Sequence, residues 1–144
     1  MKKSIIVFLL SIFTLCTVNA ADILGKWKTI DDKTGEVKSI VEITKKDGKL
    51  YGIIVKLIDK DPNYDPICTE CKDHLKGKKI LGMQIVNGLT QKDGRWTGSD
   101  GIMDPDNGKY YDVKMWVDEK DSNKLNVRGY IAFFYRTQTW IREK

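Results

Sequence analysis

The chain has 144 residues, of which 41% are hydrophobic and 31% charged, with 3 Pro and 12 Gly. These proportions describe a globular domain and rule out a collagenous, disordered or multi-spanning membrane chain. The formal charge of +5 is modest, and no nucleic-acid-reading motif accompanies the densest basic cluster, Lys72, Lys76, Lys78 and Lys79, so a nucleic-acid partner is not expected.

Lys2 and Lys3 precede an apolar run from Ile5 to Cys16, and Val18-Asn19-Ala20 supplies a cleavage-site pattern before Ala21. The run is shorter than the roughly 20 residues that span a bilayer, so residues 1–20 read as a secretory signal peptide and 21–144 as the domain. Leu15 stands where a lipid-attachment site at Cys16 would want a small residue. The expected location is the periplasm of a Gram-negative cell or the exterior, without a membrane span. Removing Lys2 and Lys3 leaves 23 basic against 20 acidic residues, a net +3. A domain of this size buries roughly two thirds of its unfolded surface, enough for one core.

From Ile23 onward apolar residues recur with period two between glycine-containing turns, the pattern of an antiparallel meander. The predicted strands are Ile23 to Ile30, Glu36 to Thr44, Leu50 to Ile58, Lys79 to Leu89, Arg95 to Met103, Lys109 to Val117, Leu125 to Ala132 and Phe134 to Arg142. Lys46-Asp47-Gly48-Lys49 and Lys92-Asp93-Gly94-Arg95 carry the Asp-Gly pair of a tight hairpin. Only the link from Asp59 to Gly77 is long; it holds Pro62, Pro66, Cys68, Cys71 and His74. Tyr51, Ile53, Val55 and Leu57 alternate with Gly52 and Lys56, and Tyr111, Val113, Met115 and Val117 with Asp112 and Lys114. Eight antiparallel strands with one apolar face each predict an all-β, up-and-down closed barrel; a two-sheet sandwich is the alternative.

Gly25-Lys26-Trp27 opens the first strand, and Arg136-Thr137-Gln138-Thr139-Trp140-Ile141-Arg142 forms the last. This pairing resembles the closing arrangement of lipocalins, in which the indole plugs the barrel floor beneath an arginine. The resemblance implies that Trp27 lies under Arg136 or Arg142, with Arg142 preferred. A wider set, Gly48-Lys49-Leu50-Tyr51-Gly52, Cys68-x-x-Cys71, Asp104-Pro105-x-x-Gly108-x-x-Tyr111 and Val127-Arg128-Gly129-Tyr130, joins these segments in order. Together they resemble the bacterial family called domain of unknown function 2147 over essentially the whole mature chain. That likeness implies an exported, lipocalin-like (calycin-type) barrel and no particular reaction.

Cys68 and Cys71 are an even pair in an exported chain, which reads first as a local disulfide. With His74 they also have three-ligand zinc spacing, and a redox role is a further alternative, although the helix and parallel sheet it needs are missing from the pattern. No metal and no cofactor are expected. Asp104 and Asp106 begin like a calcium loop, but Met115 occupies the position of its bidentate Glu, so a hairpin turn explains them. No nucleophile elbow or phosphate loop is present and His74 is the sole imidazole, so no catalytic residue is assigned and enzyme action ranks third. Arg128 reads as an exposed cross-strand ion-pair partner or a carboxylate-binding group.

The resulting expectation is a small lipophilic or amphiphilic ligand held in the calyx by Tyr51, Ile53, Met83, Tyr111, Met115 and Arg128. The alternative is an envelope-associated protein-interaction module that uses its outer aromatic residues, among them Trp96, Trp116 and Tyr130.

Overall fold

The two Asp-Gly pairs set the hairpins. In the computed structural model, Asp47 and Gly48 have φ of 51° and 73°, and Asp93 and Gly94 of 50° and 72°. Positive φ at both central residues gives the turn whose twist matches that of the strands it joins. The structure describes residues 22–144, and the expected signal peptide lies outside them. These residues form β1 (Gly25–Ile30), β2 (Val37–Lys46), β3 (Lys49–Leu57), β4 (Gln84–Lys92), β5 (Arg95–Asp104), β6 (Lys109–Val117), β7 (Lys124–Ile131) and β8 (Phe134–Arg142). Each strand pairs with its sequence neighbour and β8 returns to β1, closing an antiparallel eight-stranded barrel. Among the described residues no helix is long and apolar enough to cross a membrane.

Closure is uneven. β7 and β8 share eight register pairs, whereas β1 and β8 share two, Trp27 with Arg142 and Lys28 with Ile141. Glu143 extends the contact by donating its amide to Lys26 O at 2.9 Å and pairing with Lys28 Nζ at 3.0 Å.

Two predicted features are corrected. β4 starts at Gln84 rather than Lys79, because residues before it turn: Ile80 N donates to Pro66 O, Met83 N to Ile80 O, and Gly82 has φ of 84°. In β3 the inward face is Leu50, Gly52 and Ile54, while Ile53 and Val55 are exposed and Tyr51 shares their outward face. Gly52 explains the difference: lacking a side chain, it reads as a gap in the strand's outer face although it points inward. A Cβ there would lie 2.8 Å from Val86 and 2.9 Å from Ile43, inside the barrel. The register with β2 then slips between Ile40 and Val41, so Ile54 faces Val41 and Leu57 faces Ser39. This bulge inserts Val55 as an extra residue and restores Leu57 to the inner phase.

Trp27, Ile43, Leu50, Leu89, Met115 and Leu125 are almost entirely buried and fill the end where β1 begins. Trp27 Nε1 donates to Ile23 O at 2.9 Å, which satisfies the buried indole. Arg142 lies 4.1 Å from the Trp27 ring centroid and donates to the carbonyls of Leu24, Asp22 and Ser122. This end is the floor.

Candidate functional site

At the opposite end the side chains stop short of filling the barrel. A cavity of about 800 Å³ opens among the β1–β2, β3–β4, β5–β6 and β7–β8 connections. Ile54, Met103, Val127 and Trp140 form its apolar depths, and Asp32, Asn107, Tyr111, Arg136 and Gln138 line it toward the rim. Inside the wall, the Thr29 and Ser39 hydroxyls share a hydrogen bond at 2.7 Å.

The rim is organised by paired charges and side-chain amides. Asp32 accepts from both Arg136 and Gln138, and Lys38 pairs with Asp106. Asn107 Nδ2 donates to Asp104 Oδ2 at 3.0 Å and to the Tyr111 hydroxyl at 2.8 Å, so Tyr111 is held against the β5–β6 turn. The backbone amides of Thr34 and Lys33 hold the Asp31 carboxyl below its ordinary range. Asp104 caps its own turn, accepting Asp106 N at its carboxylate and Gly108 N at its carbonyl. The acidic pair thus serves a hairpin turn.

The long β3–β4 link braces that turn from outside. Cys68 and Cys71 are buried and joined by a disulfide, so their sulfurs are bonded to each other rather than shared with His74. Gly108 has φ of 67°, and a Cβ on it would come within 2.1 Å of Glu70 O. Only glycine admits this close approach. Nearby, Tyr110 donates its hydroxyl to Asp73 at 2.6 Å. That hydrogen bond pushes the phenol up to about 12 and the Asp73 carboxyl below its usual value.

Of the six residues expected to hold a ligand, Tyr111 lines the cavity. Met115 is buried in the filled half, and Met83 is buried in the turn before β4, where its carbonyl accepts Ile54 N. Tyr51 and Ile53 are corrected to the outer face by the β3 parity. Arg128 is corrected likewise: its guanidinium lies on the outer wall, 4.3 Å from the Tyr135 ring centroid and 5.1 Å from that of Trp116. Arg136 sits with Asp32 at the rim, whereas Arg142 covers Trp27. The sequence reading missed Gln138 and Asp32. Gln138 had a signal, because it shares the inward phase of Trp140 and a polar inward residue in an apolar strand marks a wet part of the interior.

Residues 25–142 match the family described as "Uncharacterized protein conserved in bacteria (DUF2147)". Among solved structures, the barrel is similar to the protein described as "Protein HP1028 from the human pathogen Helicobacter pylori belongs to the lipocalin family", with a TM-score of 0.70 and 18% identity over 86% of this chain and 84% of that one. No curated protein matches the sequence. The structural likeness establishes a lipocalin-like fold.

Proposed function

Because the chain belongs to the DUF2147 family and folds as a lipocalin-like barrel, we propose that it is an exported binder of one small amphiphile, its apolar part in the calyx and its polar end at the rim. The carrying observation is the division of the interior. The cavity of about 800 Å³ falls within the range of small-molecule sites, about 300–1,000 Å³, and such sites combine apolar walls with a few placed polar groups. Ile54, Met103, Val127 and Trp140 supply the walls. At the rim, Tyr111 offers a hydroxyl, and Arg136 and Gln138 offer donors that Asp32 otherwise occupies. An anionic head group entering there can compete with Asp32 for both donors, which favours amphiphiles such as fatty acids. The leader-like residues 1–20 and the disulfide support export.

Gly129 provides the test. It lines the cavity, and a Cβ on it meets only Tyr111 Cβ at 3.8 Å, an ordinary contact. Gly129→Trp is therefore expected to fill the mouth while leaving the barrel folded. It should weaken uptake of a fluorescent fatty-acid probe by about tenfold or more, equivalent to ~1.4 kcal/mol. A wild-type protein that takes up no such probe, or a Gly129→Trp variant that binds it unchanged, refutes the calyx reading. Native mass spectrometry of protein purified from its own compartment identifies the natural occupant.

A further inference from the structure

Three connections in the barrel are two-residue hairpin turns, and they differ by position. At the floor, Asp47-Gly48 and Asp93-Gly94 use residues suited to positive φ. At the mouth, Ile131 pairs with Phe134 across Ala132-Phe133, and Ala132 is held at φ of 51°. Alanine gains nothing in that conformation, which asparagine, aspartate and glycine tolerate better. The side chains this turn presents are also the reverse of a solvated loop: Phe133 is 99% exposed, Phe134 77%, and Ile131 and Tyr135 61% each. Consecutive exposed apolar residues oppose both stability and solubility unless something covers them.

From the tip a basic, aromatic strip runs down the outer wall, with Arg128 and Lys114 nearest the tip and Trp116 and Arg95 toward the floor. Arg128 lies between Tyr135 and Trp116, Arg95 lies 4.3 Å from the Trp116 ring centroid, and Lys114 lies 5.9 Å from that of Tyr130. Of the rim acids, Asp32 is paired with Arg136 and Asp106 with Lys38, while Asp31, Asp59 and Asp104 are engaged by backbone amides of their own turns and Glu36 has no ion pair among the described residues. An apolar projection backed by cations and interfacial aromatics is the composition that settles into the boundary layer of an anionic bilayer. Its shape points the same way, because a two-residue apex enters a deformable lipid surface without a preformed pocket to receive it.

We propose that the β7–β8 hairpin tip, with Phe133 and Phe134 at its apex, docks the protein onto an anionic lipid bilayer. Phe134, Tyr135 and Arg136 also line the cavity mouth, so docking brings the calyx opening against the head-group layer. The docking itself does not require that the calyx bind anything.

The test uses the chain beginning at Ala21, since all eight strands and the closing contacts lie within residues 22–144. Flotation with vesicles of phosphatidylethanolamine containing about 30% phosphatidylglycerol should carry wild type upward, and raising salt from about 0.05 M to 0.5 M should reduce the bound fraction. Phe133→Asp changes a fully exposed side chain outside the cavity lining, so its melting temperature and its uptake of fatty-acid probe should match wild type. Its vesicle affinity should fall by about tenfold or more. Gly129→Trp should still float, which separates docking from calyx binding. Wild type that fails to float, or Phe133→Asp that floats equally well, overturns the proposal. So does a wild type that ignores vesicles but forms a dimer, or captures a protein, that Phe133→Asp abolishes; the tip is then a protein interface.

Discussion

The two ends of this barrel are built from the same eight strands and solve opposite problems. At the floor Trp27 is fully buried, and Arg142 spends its donors on backbone carbonyls while lying over the indole. At the mouth Arg136, on the same inward face of β8 and six residues away, meets Asp32 and remains largely exposed. At about 3.3 Å per residue that spacing moves a guanidinium roughly 20 Å, from one end of the cylinder to the other. The chemistry of the side chain is unchanged. Its surroundings decide whether it seals the structure or stays available.

Substitutions sharpen that contrast. The largest loss is expected from Trp27→Ala, about 3–5 kcal/mol as for other buried tryptophans, measured by denaturant unfolding. The two arginines should then separate. Arg142→Ala is expected to cost about 1–2 kcal/mol through the lost cation–π contact and carbonyl hydrogen bonds, with probe affinity unchanged. Arg136→Ala should stay within about 0.5 kcal/mol in stability yet change probe affinity several-fold. Equal stability losses at the two sites would dissolve the distinction between floor and mouth.

The smallest effect concerns the brace beneath the mouth. The Tyr110 phenol is raised from 10.0 to about 12 by its hydrogen bond to Asp73, so its contribution to stability is complete below pH 10 and is lost as pH rises toward 12. The Asp73 carboxyl is lowered by the same bond, so its contribution is present above pH 4 or so and is lost only as acid carries the pH below that lowered value. Tyr110→Phe is expected to melt slightly below wild type at neutral pH, with the gap closing above pH 10. Absorbance titration should show one late-ionising phenol fewer among the six tyrosines. A gap constant to the highest pH would refute this coupling.

Much of the architecture is legible in the residues. Asp47-Gly48 and Asp93-Gly94 fix local hairpins, and the alternation in β6 and β7 assigns Val113, Met115, Leu125 and Val127 to the interior. Both signals are short-range, so each strand announces itself without its neighbours. The candidate site was less legible for a physical reason. β3 has apolar residues in both phases, so choosing between Ile53 and Ile54 depends on how closely Ile43 and Val86, the register partners of Gly52 on the two neighbouring strands, approach it. That approach and the extra residue at Val55 are properties of the closed sheet rather than of the strand. Arg128's outward parity is visible in the sequence and agrees with its exposed position, but its aromatic neighbours Trp116 and Tyr135 come from two other strands.

The meagre pairing between the first and last strands makes the cylinder a rolled ribbon with a narrow seam. With two register pairs there, against eight between β7 and β8, backbone hydrogen bonds contribute little to holding the roll shut, and the Trp27–Arg142 stack works as its latch. If the latch is released, the ribbon uncurls before its hairpins melt, and β1 and β8 become free edges with unpaired amides and carbonyls. Such edges template further strand addition. Damage to this one stack should therefore declare itself in concentrated solution as growing chains of copies, well before it is visible as loss of secondary structure.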